Sequence, residues 1–158
     1  MKKKILENTA LAKNKKAYHD YEILEKYEAG VVLFGDEVKS IKNGSLNLKG
    51  AFVDTFNEES FLNNAHVSRY KNSSRTDLDP KRKRKLLLHK KEIFKIAQEL
   101  EQKGITAIPL EVYLKKGLIK ITVGLCRGKK LYDKRESIKK RENTREMERE
   151  LKKFRNAL

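Results

Sequence analysis

The sequence predicts a mainly β domain: a small closed antiparallel barrel with two or three flanking helices, followed by a basic, helix-prone C-terminal tail that is disordered when free. Three observations lead there. Short apolar runs with a two-residue period recur between residues 17 and 128, separated by Gly- and Asn-containing turns. A sheet of about six strands has exposed edges, and closure removes them. From residue 129 the composition changes, with twelve Lys/Arg, six Asp/Glu and neither Gly nor Pro up to residue 158. An open sheet with helices on one face is the alternative that the pattern leaves open.

The elements follow in order. Residues 1–16 are polar and Lys-rich and read as a flexible basic arm, with Leu6 and Leu11 able to dock locally. Residues 17–128 form the domain. Tyr21, Ile23 and Leu24 open a first strand, and Gly30 to Phe34 makes a second apolar run. Asp36 sits where a short helix over 37–42 is capped, and Asn43-Gly44 stops it. Ala51–Phe56 and Phe61–Val67 read as a hairpin joined by residues 57–60.

Residues 71–85 are a polar loop ending in a basic run. Lys90–Lys103 reads as an amphipathic helix, because Ile93, Ile96, Ala97 and Leu100 share a face and Gly104 suits a C-terminal cap. A long hairpin follows. Ile108, Leu110, Val112 and Leu114 alternate with Pro109, Glu111 and Tyr113; beyond Lys115-Lys116-Gly117, Ile119, Ile121, Val123 and Leu125 alternate with Lys120, Thr122 and Gly124. Pro109 lacks an N–H and fits an edge or a bulge. Residues 129–158 carry acid-first pairs such as Glu136/Lys140 and Glu148/Lys152, which favour helix, but too few apolar side chains to order alone.

Charge narrows the function. Lys and Arg number 38 against 22 Asp and Glu, for a net charge of +16. Such an excess repels itself and calls for a polyanionic partner, with nucleic acid and an anionic membrane surface as the two candidates. A single cysteine, Cys126, excludes an internal disulfide framework and a multi-Cys zinc site. The basic start at Met1 has no apolar run behind it, and no stretch approaches the length of a membrane span, so the expectation is a soluble cytoplasmic protein.

The run Lys81-Arg82-Lys83-Arg84-Lys85 pays like-charge repulsion unless an anion relieves it, and the arm and tail are basic too. That combination favours nucleic acid over a merely solvated charge run. Tyr18, His19 and Tyr21 form an aromatic group read as lying on the first strand, with His19 and Tyr21 on one side and Tyr18 and Asp20 on the other. Tyr132, in the polar tail, is a candidate to stack on a base. His19, His66 and His89 have no metal-ligand spacing, and no nucleophile or phosphate-loop motif is present. No enzyme activity, metal or cofactor is expected.

Five segments share an order with one family. They are residues 14–21 (NKKAYHDY), 27–33 (YEAGVVL), 35–40 (GDEVKS), 84–89 (RKLLLH) and 128–135 (GKKLYDKR). Together they resemble the SmpB family, the tmRNA-binding proteins of bacterial ribosome rescue. The resemblance implies an oligonucleotide-binding (OB) type of barrel and a non-catalytic adaptor. Such an adaptor binds the tRNA-like domain of tmRNA and brings it, with EF-Tu carried indirectly on the charged RNA, to a ribosome stalled on mRNA without a stop codon. It further implies RNA-binding roles for His19, Tyr21, Glu28, Lys85, Leu87 and Lys120. The tail segment Gly128, Lys129, Lys130, Tyr132, Asp133, Lys134 and Arg135 is implied to engage the decoding centre and mRNA channel. A structural ribosomal protein and a general binder of structured RNA are the competing readings; a nuclease built on His19 and His66 and a membrane-surface binder are weaker ones.

Overall fold

The computed structural model describes residues 9–129 and 131–157, and for residues 131–134 and 137 the backbone alone. Its elements begin with β1 (Thr9–Lys13), α1 (Lys15–Asp20), β2 (Tyr21–Val31), α2 (Gly35–Lys42) and β3 (Leu46–Asn47). Then come β4 (Phe52–Phe56), β5 (Glu59–Asn63), β6 (His66–Val67) and β7 (Arg84–Leu87). The chain continues through α3 (Lys90–Leu100), β8 (Ile105–Lys115), β9 (Leu118–Gly128) and α4 (Leu131–Asn156).

The strands pair in the order β8-β4-β5-β7-β2-β9, and β9 pairs back onto β8, so the hydrogen bonds run round a ring. Every pairing is antiparallel. β1 joins the free stretch of the β8 edge beyond β4, and β3 and β6 form a separate short pair. Asn57 and Glu58, both at positive φ, turn β4 into β5; Lys116 and Gly117 do the same between β8 and β9.

Inside the ring lie Tyr27 and Ala29 of β2, Val53, Leu62, Leu86, Ala107 and Val112, with Ile119, Ile121, Val123 and Leu125 of β9. The last four were read from the sequence as one face, and they are one. α3 packs Ile96 into this core and also buries Ile93.

β8 differs from its sequence reading. Leu110 is the extra residue of a bulge between Pro109 and Glu111. The bulge reverses the alternation, so Val112 faces the ring interior while Ile108 and Leu110 turn outward. Pro109 sits at this bulge, where its missing N–H breaks no ladder. A second bulge, between Ile23 and Glu25, does the same to β2.

The outward-turned residues need a cover, and α1 supplies it. Ala17 packs on Ile108, Leu110 and Cys126 in a small second core, flanked by Tyr18, Tyr21 and Ile23. Gly124 makes room: a Cβ there would lie 2.7 Å from Leu110 Cδ1. Burial pushes the Cys126 thiol up to about 11, consistent with an apolar role.

Three expectations need correction here. The arm was read as flexible through residue 16, yet Thr9–Lys13 is a strand and α1 starts at Lys15. Residues 18–20 were read as strand and are helix. Asn14 is the cause of both: its N–H donates to Leu110 O at 2.8 Å, its Nδ2 to Pro109 O at 3.1 Å, and its Oδ1 caps α1 by accepting from the Ala17 N–H at 3.1 Å. The tail, expected to be disordered when free, is a 26-residue helix. The absence of Gly and Pro and the acid-first charge pairs favour helix, and Ile138, Met147, Leu151 and Phe154 remain exposed along it. Leu6 and the rest of residues 1–8 lie outside the described residues.

Candidate nucleic-acid interface

The outer surface of the β2–β9–β8 sheet gathers several of the residues singled out in the sequence. Tyr27 and Ala29 point into the core, so Lys26, Glu28 and Gly30 point out. The register aligns Gly30 with Lys120, Glu28 with Thr122, and Lys120 with Tyr113. Gly30 also pairs with Leu87 of β7. With no side chain of its own, it lets Leu87 lie across it: a Cβ on Gly30 would sit 3.3 Å from Leu87 Cβ. Leu87 is nevertheless 55% exposed. Glu28, Leu87 and Lys120 are therefore neighbours around one glycine, although 92 residues of chain separate the first from the last.

Glu28 is held by two side chains of β8. The Tyr113 hydroxyl donates to Oε2, and Lys115 Nζ lies 3.1 Å from Oε1 and 3.2 Å from Oε2. The Tyr113 hydrogen bond, then that of Lys115, holds the Glu28 carboxyl below its ordinary range. Burial and the same hydrogen bond push the Tyr113 phenol up to about 12. Sequence reasoning missed both partners. Alternation did place Tyr113 on the polar side of its strand, so the signal was present, but its meeting with Glu28 depends on the long-range pairing of β2 with β9.

The face continues toward α1. Tyr18 donates to Glu111 Oε1 at 3.3 Å, and the ammonium groups of Lys13 and Lys26 lie over its ring at 5.3 and 5.7 Å. Across this surface Lys13, Lys26, Lys115 and Lys120 outnumber Glu28 and Glu111.

His19 and Tyr21 belong to the far end. Tyr21 pairs with Gly128, roughly 20 Å along β2 from Glu28. His19 Nδ1 lies 2.8 Å from Asp20 Oδ1, a contact the strand reading ruled out and a helix permits. Lys129 N donates to Asp20 O at 2.9 Å. So His19 and Tyr21 adjoin the root of the tail, where α4 meets α1. Arg135 is exposed on α4; Lys130 and the side chains of Tyr132, Asp133 and Lys134 lie outside the described residues.

The basic run reads differently in the folded chain. Arg84 is 1% exposed, and its Nε donates to Glu37 Oε2 at 2.5 Å. Its other nitrogens donate to the carbonyls of Ala65, Arg82 and Pro80. Arg82 donates to Glu37 Oε1 through Nε at 2.9 Å and also through Nη2. Glu37 in turn accepts from the Phe34 N–H at the start of α2. Burial opposes its ionisation, but Arg82, the Phe34 amide and Arg84 together hold its carboxyl below the ordinary range. Lys83 faces Asp54 at 3.6 Å and Lys85 faces Glu59 at 2.7 Å. The repulsion expected within the run is thus relieved for Arg82 to Lys85 by the protein's own acids. Lys85 stays on the surface, on the same side of β7 as Leu87.

Among the described residues no cluster of His, Cys, Asp and Glu is arranged to hold a metal ion. His66 lies on β6 and His89 precedes α3, so the three histidines occupy separate elements.

Known proteins resemble the chain along most of its length. The family model described as SmpB protein matches residues 11–153. An SsrA-binding protein of Clostridium perfringens is 50% identical over 146 residues, covering 92% of this chain and 94% of that one. An SsrA-binding protein of Acaryochloris marina is 54% identical over 143 residues, covering 90% and 93%. A solved structure described as "tmRNA-SmpB: a journey to the center of the bacterial ribosome" superposes with a TM-score of 0.65 at 45% identity, covering 76% of this chain and 85% of that one.

Proposed function

Because the chain belongs to the SmpB family, we propose that it is a non-enzymatic adaptor that binds tmRNA and acts with it on the ribosome in trans-translation. The observation that carries this reading is identity near 50% over nine-tenths of the chain with proteins named for binding SsrA RNA.

The finer assignment is what the family resemblance implies, and the chemistry of the surface is consistent with it. The ring of strands is a closed OB-type barrel, and its outer β2–β9–β8 face takes the tRNA-like domain of tmRNA. Lysines there meet phosphates, which positions the RNA. Glu28 accepts a hydrogen bond from a base edge or a 2′-hydroxyl, and Leu87 packs against an exposed base. Lys85 adds a phosphate contact from β7. His19 and Tyr21, at the root of the tail, meet RNA separately from the Glu28 group.

The tail works elsewhere. Gly128, Lys129, Lys130, Tyr132, Asp133, Lys134 and Arg135 enter the decoding centre and mRNA channel, where Tyr132 stacks on rRNA. α4 is basic and exposed throughout its described side chains, which suits it to a groove lined with phosphates. EF-Tu joins through the charged tmRNA and not through this chain, and the assembly works in the cytoplasm. No described helix is long and apolar enough to cross a membrane.

Truncation after Gly128 tests the division of labour. The shortened protein should shift a labelled tRNA-like domain in a gel at nearly the full-length affinity, while tagging on stalled ribosomes in vitro falls to background. Loss of RNA affinity on truncation would refute the two-surface scheme. Failure of the intact chain to bind tmRNA at low salt would refute the function itself.

A further inference from the structure

Glu28 is an acid on a surface proposed to meet polyanionic RNA, and the fold goes to some length to keep it there. Its carboxylate is 42% exposed at the side chain, yet neither oxygen is free. Oε2 accepts from Tyr113 and Lys115, and Oε1 accepts from Lys115. Each carboxylate oxygen has two lone-pair directions, so Oε1 keeps acceptor capacity that the protein leaves unfilled. Tyr113 comes from the strand two away from β2, reaching across β9 beside Lys120 and Thr122.

From this geometry we propose that Tyr113 is a positioning residue for RNA recognition: with Lys115 it fixes the Glu28 carboxylate, ionised and with Oε1 outward, as an acceptor for an N–H or O–H donor of the RNA. The proposal rests on the reading of Glu28 as an RNA contact. A free glutamate would sample many rotamers and, facing phosphates, would tend to take up a proton. Two donors on one side remove both problems. The Tyr113 hydroxyl prefers an ionised partner, and a bidentate Lys115 supplies local positive charge. The groups around Glu28 are Lys26 on its own strand, Tyr113, Lys115 and Glu111 on β8, Lys120 on β9 and Leu87 on β7. Cations prevail among them. Tyr113 itself is spent on Glu28, so its contribution to RNA affinity passes through that carboxylate.

The test is a double-mutant cycle of Tyr113→Phe and Glu28→Gln, read by binding of the labelled tRNA-like domain of tmRNA between pH 4 and 8. Melting curves check that each variant is folded. Tyr113→Phe keeps the ring and removes the donor. It should weaken binding about three- to tenfold at pH 7.5. The loss should deepen as the solution is acidified, beginning at a higher pH than in the unmodified protein, because Glu28 no longer resists protonation. In the Glu28→Gln background the same change should have little further effect.

If Glu28→Gln weakens binding but Tyr113→Phe adds its full effect on top, Tyr113 contacts RNA independently and the positioning role is wrong while the interface stands. If Tyr113→Phe leaves both affinity and pH profile unchanged, the positioning role is wrong as well. If Glu28→Gln leaves affinity intact, the assigned face fails and this proposal falls with it. RNA with single 2′-deoxy substitutions separates the two donor types: one such substitution abolishing the effect of Glu28→Gln identifies a ribose hydroxyl, and none doing so identifies a base.

Discussion

Glu28 and Glu37 are each held by two side-chain donors, and they do opposite things. Glu37 lies within the fold, 2% exposed, with Arg82 and Arg84 on its oxygens and a helix-start amide on the same carboxylate. The carboxylate and the two guanidinium groups are hydrogen-bonded to one another and to backbone groups, so the cluster is scaffold. Glu28 stands on the surface with Tyr113 and Lys115, beside Lys120, and keeps an acceptor direction open to solvent. Similar residue types make a strut in one place and an interface in the other. Burial and saturation separate them, and composition does not.

Breaking the strut should have the largest effect. Arg84→Ala leaves Glu37 without its most buried partner and should destabilise the domain by about 3–5 kcal/mol, measured by urea denaturation. A loss below about 1 kcal/mol would mean that the cluster is not structural.

Gly124→Ala probes the scaffold beneath the face without touching charge. The added methyl meets Leu110, and a loss of about 1–3 kcal/mol is expected from the same assay. An unchanged midpoint would show that the bulge yields freely.

Acid should act on the strut. A carboxyl whose value is lowered by folding contributes stability that is complete above its ordinary value of 4.5 and fades as pH falls through the lower folded value. Unfolding midpoints measured from pH 7 to 2 should therefore decline below about pH 4.5. In Glu37→Gln the baseline is lower and the decline shallower; a parallel decline in both proteins would assign the acid sensitivity elsewhere.

The smallest effect on stability belongs to the face. Glu28→Ala and Lys120→Ala should each shift unfolding by less than about 0.5 kcal/mol while weakening tmRNA roughly tenfold, the scale of one charged hydrogen bond. Raising salt should loosen the RNA complex steeply and leave the melting point almost still. Should either substitution unfold the domain, the contrast between the two acids would disappear.

Much of this was legible before any fold was known. The long β8–β9 hairpin was readable because alternation is a local property, and β9 kept its four core residues without interruption. The RNA-directed surplus of charge was readable because it is a sum. Local rules failed where one residue is reused by distant chain. Asn14 looked like part of a polar arm, but its cap for α1 works only with the carbonyls of Pro109 and Leu110 beside it. The Leu110 bulge, invisible to a period-2 count, sent Ile108 and Leu110 to the outside and made a second core necessary.

The primary structure, then, settles which segments extend, where charge accumulates and to which family the chain belongs, since these depend on neighbours in sequence and on composition. It does not settle which of those charges face the solvent. Arg84 and Lys85 are adjacent and both cationic, yet a strand sends them to opposite sides, one into a saturated pocket and one onto the surface. That choice waits for Glu37 of α2 to reach Arg84, and the meeting of Glu28 with Tyr113 waits for β2 to pair with β9, because only tertiary contact brings segments far apart in sequence within reach of a hydrogen bond.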